Sequence, residues 1–223
     1  MTDKRRWAAV VIYATAMALV ESAVVTYLRV FLDRVDPYQP NPFPVPAWLI
    51  RTEMVREAAT LVMLVAVGWL AGRAWRSRLG YFLIAFGVWD ICYYVFLVPM
   101  SGWPRSLLDW DILFLIPLPW WGPVLAPVSI AALMVVGGTL MSQFEQGERT
   151  LWPGRWSWWL SLGGGVLALY VFMADALHAP DWSEETLHNI LPTWFNWPLF
   201  IVALVLMGAP ILDMCRQYWR RPH

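Results

Sequence analysis

Acidic residues stand in this chain where a membrane-spanning segment would ordinarily carry none. Glu21, Glu53, Glu57, Asp90 and Asp175 fall inside apolar stretches, as does His178, while Asp109 and Asp111 lead into another. A carboxylate or imidazole is costly to hold in hydrocarbon, so such residues mark ion, proton or substrate sites by default. Helical spacing groups them: Glu53 and Glu57 are four residues apart and share a face, and Asp175 and His178, three apart, can offer a carboxylate and an imidazole to one ion. Tyr93 and Tyr94 lie on the face of Asp90 as hydrogen-bond donors. Glu21, Val25 and Arg29 form a stripe that sets Arg29 to neutralise an acid one or two turns away. At about 1.5 Å per residue, Glu21 lies ~21 Å from Trp7, Asp90 ~16 Å from Leu79, Glu57 ~14 Å from Trp48 and Asp175 ~28 Å from Trp156. These depths place the group at the middle or outer half of a membrane.

Three chemistries fit. In the first, Glu21, Glu57, Asp90, Asp175 and His178 hold a divalent metal, with Arg29, Glu53, Arg56, Tyr94, Asp109 and Asp111 supporting them or meeting a substrate. Oxygen-rich ligation with one or two imidazoles suits Fe, Mn or Zn better than Cu(I). A Glu from each of two helices plus a carboxylate-x-x-His element is the logic of carboxylate-bridged di-metal bundles. The departure is that only one such element, Asp175-x-x-His178, is present; His188 in a loop is the nearest second imidazole. The substrate of such a site would be lipid-soluble or periplasmic. In the second chemistry the acids relay protons or cations through a small transporter, although paired broken helices of inverted repeats are not visible. In the third, Arg29, Arg51 and Arg56 pair with Glu21, Glu53 and Glu57 as structural ion pairs, in an accessory subunit of a larger membrane complex or in a homo-oligomer. Haem or chlorin ligation by His178 would want a second histidine at membrane depth. No Gly-x-Ser-x-Gly elbow supports a serine nucleophile, and a two-carboxylate hydrolase has no identifiable pair.

The elements that must position these residues are transmembrane helices. The chain has 223 residues, 59% hydrophobic and only 14% charged, a polar surface too small for a water-soluble globule. Mean hydropathy is +0.51. Six stretches reach the ~20 apolar residues that a 30 Å core requires: 7–31, 48–71, 79–98, 123–141, 156–178 and 194–212. The fold class expected is all-α, a single polytopic membrane domain. Lys4-Arg5-Arg6 before an apolar run mimics a signal peptide, but the run continues past Ala18 to Phe31, which favours a true span. Cys92 and Cys215 have neither zinc nor redox spacing. Sixteen basic residues balance sixteen acidic ones, which argues against a nucleic-acid partner.

That neutrality divides into two layers. With six spans, eleven cations (Lys4 to Arg221) fall on one side and five arginines (Arg29, Arg34, Arg51, Arg56 and Arg105) on the other. This is the positive-inside pattern of a bacterial-type inner-membrane protein with both termini cytoplasmic. Many of the seventeen tryptophans fall at the span ends as interfacial belts. Two outer stretches are irregular. Pro37–Pro46 carries five prolines in ten residues, a stiff strap or lid. Ile112–Met141 is interrupted by Pro117, Pro119, Pro123 and Pro127, so residues 112–119 read as a short re-entrant or interfacial piece. Irregular backbone at that depth must be buried in protein or line a wet cavity, which makes the 117–127 turn a candidate wall. Gly163-Gly164-Gly165 reads as close helix packing rather than a nucleotide loop.

Overall fold

Apolar helices alternate with short connections along most of the chain. The computed structural model describes residues 3–38, 46–143, 151–179 and 191–220. Among them are α1 (Asp3–Phe31), α2 (Ala47–Ala71), α3 (Trp75–Ser101), α4 (Leu125–Gln143), α5 (Arg155–Phe172), the one-turn α6 (Ala174–Leu177), α7 (Trp197–Met207) and α8 (Ala209–Trp219). Five stretches are long and apolar enough to cross a membrane: α1, α2, α3, α4, and α7 together with α8. The helix α5 has 18 residues, about 27 Å of axis, and packs chiefly on α7. His188 and residues 39–45 of the proline-rich strap lie outside the described residues.

The expected helical boundaries shift in ways the local chemistry explains. Instead of continuing to His178, α5 ends at Phe172, and α6 restarts for one turn. The hydroxyl of Ser77 accepts from the backbone N–H of Arg73 and Ala74 (3.0 and 3.2 Å), which starts α3 earlier than hydropathy does. Gly102, at φ 73°, closes α3 in a left-handed conformation that a side chain would strain. Asn196 caps α7, accepting from Leu199 N–H at 3.1 Å.

The all-α expectation fails in one place that matters. Trp110–Phe114 (β1) and Trp120–Pro123 (β2) form an antiparallel hairpin, with Asp111 opposite Gly122, Ile112 opposite Trp121 and an irregularity between Ile112 and Phe114. The piece expected to be re-entrant, residues 112–119, is therefore the first strand and its turn. Strand pairing satisfies backbone groups that Pro117 and Pro119 deny to a helix, and both prolines sit in the turn.

Small residues bring the helices close, the packing mode that serves apolar helices able to cross a membrane. A Cβ on Gly87 would lie 2.5 Å from the carbonyl oxygen of Ala131, and one on Gly80 2.9 Å from that of Gly138, so α3 and α4 touch backbone to backbone. Gly164 does the same for α5 and α7, where an added Cβ would stand 2.6 Å from Ala203 O. Two apolar cores result. Val10, Ala14, Leu64 and Ile84 join α1, α2 and α3, while Ala168, Phe172, Phe200 and Ala203 join α5 and α7. The hairpin and the first turns of α4 bridge the two cores at one end of the bundle.

Candidate functional site: a polar-walled cavity under the hairpin

A cavity of about 430 Å³ lies between the two cores and beneath the hairpin, within the usual range for a small-molecule site. It runs from Arg34, Pro37 and Leu49 at the hairpin end to Met134, Gly165 and Met207, roughly 15 Å deeper along α4 and α7. Its walls differ in character. The side formed by α1, α2, α3 and β1 carries Glu21, Arg29, Glu53, Arg56, Glu57, Asp90 and Asp111; the side formed by α4, α5 and α7 is apolar, with Ile130, Met134, Ala168, Leu169, Phe172 and Met207. Pro127, Trp120 and Trp121 complete the wall expected from the proline-interrupted stretch.

Two ionic clusters hold the polar side. Arg29 Nη2 donates to Asp111 Oδ1 at 2.8 Å, with Arg29 8% and Asp111 1% exposed. The Arg29 guanidinium also lies over the Trp103 ring, 4.2 Å from its centroid. The Asp111 carboxylate further accepts from Ile112 N–H at 3.0 Å. This arginine was expected to neutralise an acid on its own helix; it instead reaches the hairpin and pins β1 to α1. The second cluster is Arg56 between Glu21 and Glu53. Arg56 Nε donates to Glu53 Oε2 at 2.9 Å, and Thr60 Oγ1 donates to Glu21 Oε2 at 3.4 Å.

Glu57 and Asp90 belong to neither cluster. The two oxygens of Glu57 accept the Leu115 N–H at 3.2 and 3.0 Å, so this carboxylate supplies the acceptor that the hairpin turn lacks. Asp90 is 9% exposed, lines the cavity, and its Oδ2 has no hydrogen-bond partner among the described residues. Arg29 Nη1 and the indole nitrogens of Trp89, Trp120 and Trp121 are likewise buried without partners among those residues. Tyr94, 6% exposed, lines the same cavity and packs against the Trp103 ring.

Of the residues singled out by spacing, Glu21, Arg29, Glu53, Arg56, Glu57, Asp90, Tyr94 and Asp111 line one cavity. Asp109, Asp175 and His178 do not. Asp109 caps the turn before β1, its Oδ2 accepting from Arg105 and Ser106 N–H at 2.7 and 3.2 Å. Asp175 and His178 lie on and just after α6, beyond the end of α5, and do not line the cavity. Asp175 Oδ1 accepts from the Thr193 hydroxyl at 2.8 Å, and the exposed His178 ring nitrogen meets Ala174 O of its own helical turn at 2.6 Å. The five-residue ligand set is therefore not assembled, and no group of three or more His, Cys, Asp or Glu among the described residues is placed to hold a metal ion.

Spacing also missed contributors. Arg34, Trp89, Trp120, Trp121 and Gly165 line the cavity. Trp120 and Trp121 read as interfacial anchors, Trp89 carried no reading of its own, and Gly165 read as helix packing, whereas a Cβ there would meet nothing within 4 Å. Comparison with protein-family models, curated proteins and solved structures finds no match for this chain.

Proposed function

We propose that this is a multi-pass protein of a bacterial-type inner membrane whose cavity binds a lipid-soluble molecule carrying a polar head. The observation that carries the reading is Asp90, nine-tenths buried on the polar wall of the cavity, with an oxygen that has no hydrogen-bond partner among the described residues, opposite an apolar wall. Buried polar groups are normally satisfied, and the cost of leaving one unpaired is about 1–3 kcal/mol or more for a charged group. A ligand with a polar head removes that cost, and its hydrocarbon part matches the wall of α4, α5 and α7. In this reading α5 completes six spans, both termini are cytoplasmic, and the hairpin end faces outward. Lys4, Arg5, Arg6, Arg73, Arg76 and Arg78 gather at the opposite end, in keeping with the positive-inside pattern.

The direct test is organic extraction of protein purified in mild detergent, followed by mass spectrometry. A single small lipid class near one equivalent per chain supports the reading. Only bulk phospholipid, in the proportions carried by an unrelated membrane protein, overturns it. A proton- or cation-coupled role is favoured by a different observation: among the ion pairs of the described residues, Arg29 and Arg56 engage Glu21, Glu53 and Asp111 rather than Glu57 or Asp90. Liposome flux decides that alternative, since an Asp90→Asn variant with unchanged proton or cation movement removes it.

A further inference from the structure

The cavity is the gap between the two cores, and its sides are closed to different degrees. At the back, α3 and α4 touch backbone to backbone at Gly87 and Gly80, which leaves no passage between them. At the hairpin end, Asp111 holds β1 to Arg29 at 2.8 Å, and the two Glu57 oxygens hold the turn through Leu115 N–H at 3.2 and 3.0 Å. Both carboxylates are buried, so lifting the hairpin breaks two ties that are costly to leave unmade.

The front is built otherwise. From α2, Glu53, Glu57 and Thr60 line the cavity, and from α5, Gly165 and Leu169 do. Yet among the described residues α2 packs on α3, with a minor contact to α1, and forms no packed interface with α5 or α7. The helix α5 packs instead on α7 and, less extensively, on α8. The two helices therefore face each other across the cavity itself. Two neighbouring glycines mark the edge of the opening: Gly164 is buried against Ala203 of α7, whereas a Cβ on Gly165 meets nothing within 4 Å. Away from the cavity, α2 exposes Met63 and Val65, and α5 exposes Leu162 and Val166. Such faces suit hydrocarbon. A slot between two helices is also the opening that lipid tolerates, because each helix satisfies its own backbone, while the outer edges of a two-stranded hairpin do not.

We infer that the cavity opens sideways into the bilayer between α2 and α5, and that its occupant is a membrane-dissolved lipid that enters through this slot rather than a solute taken from water. This rests on the lipid-binding reading above and adds the route to it. The experiment uses single-cysteine proteins in a background with Cys92→Ser and Cys215→Ser, each labelled with a small fluorophore and reconstituted into vesicles. Labels on Gly165→Cys and Leu169→Cys report the slot. Val166→Cys, 69% exposed, is the lipid-facing reference, and the exposed Arg105→Cys is the aqueous one. A phospholipid brominated along its acyl chain should quench both slot labels to within about twofold of the Val166→Cys label. Aqueous iodide, whose charge hydrocarbon excludes, should quench them at least about fivefold less than the Arg105→Cys label.

Iodide quenching of the slot labels at the level of the aqueous reference overturns the sideways opening in favour of a water-facing one. Quenching by neither agent overturns it in favour of a closed chamber. The two slot positions are read separately, so a variant that fails to fold leaves the other to decide. The route and the lipid-binding reading fail in distinguishable ways. A small lipid recovered near one equivalent per chain from protein whose slot labels iodide reaches overturns the route alone, whereas recovery of no such lipid overturns the reading itself.

Discussion

Removing the Asp111 carboxylate should destabilise the protein more than any other single truncation on the cavity wall. Asp111 is 1% exposed and accepts from Arg29 at 2.8 Å, and Arg29 is itself 8% exposed. Asp111→Ala leaves a buried guanidinium without its counter-charge, a change that typically costs about 3–5 kcal/mol. The Trp103 ring, 4.2 Å from the guanidinium carbon, remains as a cation–π partner and softens the loss. The expected effect is therefore at the lower end, about 3 kcal/mol, or roughly two orders of magnitude in the folding equilibrium. Unfolding by sodium dodecyl sulfate in mixed micelles, followed by tryptophan fluorescence, measures it. Arg29→Met should cost a similar amount, whereas the double variant Arg29→Met/Asp111→Leu should recover most of the loss, because an apolar pair of similar volume needs no counter-charge. A loss below about 1 kcal/mol in Asp111→Ala, or a double variant as damaged as the sum of the singles, would refute the view that this pair clamps the hairpin to α1.

Other consequences follow from individual contacts. Glu57→Leu removes the acceptor of Leu115 N–H and should cost about 1–3 kcal/mol, while Glu57→Gln, which keeps an acceptor oxygen, should cost much less; paired melts in one detergent separate them. Gly87→Leu should force α3 and α4 apart, since its Cβ meets Ala131 O at 2.5 Å, with a loss of at least about 1–3 kcal/mol by thermal melting. Asp213→Ala removes the acceptor for Gly154 N–H at 2.7 Å and Ser157 Oγ at 2.8 Å at the start of α5, and should lower stability by about 0.5–2 kcal/mol.

The mostly helical fold and the positions of most helices long and apolar enough to cross a membrane were legible because about 20 apolar residues bounded by charge or tryptophan have few alternative structures. The polar wall was partly legible for a related reason. Glu21, Glu57 and Asp90 stand out individually against apolar neighbours, and helix rise alone places them at similar depth. Their partners were not legible. Whether Arg29 meets Glu21 on its own helix or Asp111 on a distant hairpin depends on tertiary packing that periodicity does not encode. The hairpin was missed because Trp-Asp-Ile-Leu-Phe and Trp-Trp-Gly-Pro are too short to show a period, and the prolines signal a break without saying what replaces the helix. Asp175 and His178 do not line the cavity; hydropathy alone carried α5 through Met173, where the helix is interrupted. Gly163, Gly164 and Gly165 look alike in sequence, yet Gly164 packs against α7 and Gly165 opens the cavity.

The central claim, that the space beneath the hairpin holds a lipid-soluble molecule, is tested most directly by filling that space from its apolar side. In Gly165→Leu the added Cβ meets nothing within 4 Å, so the branched side chain enters the cavity without displacing backbone, and the helix gains a better helix former. Wild-type and Gly165→Leu proteins, purified identically and extracted with organic solvent, should differ by one small lipid, present near one equivalent per chain in the first and reduced at least about tenfold in the second, with equal or higher melting temperature in the variant. Identical extracts from two equally stable proteins would contradict the account.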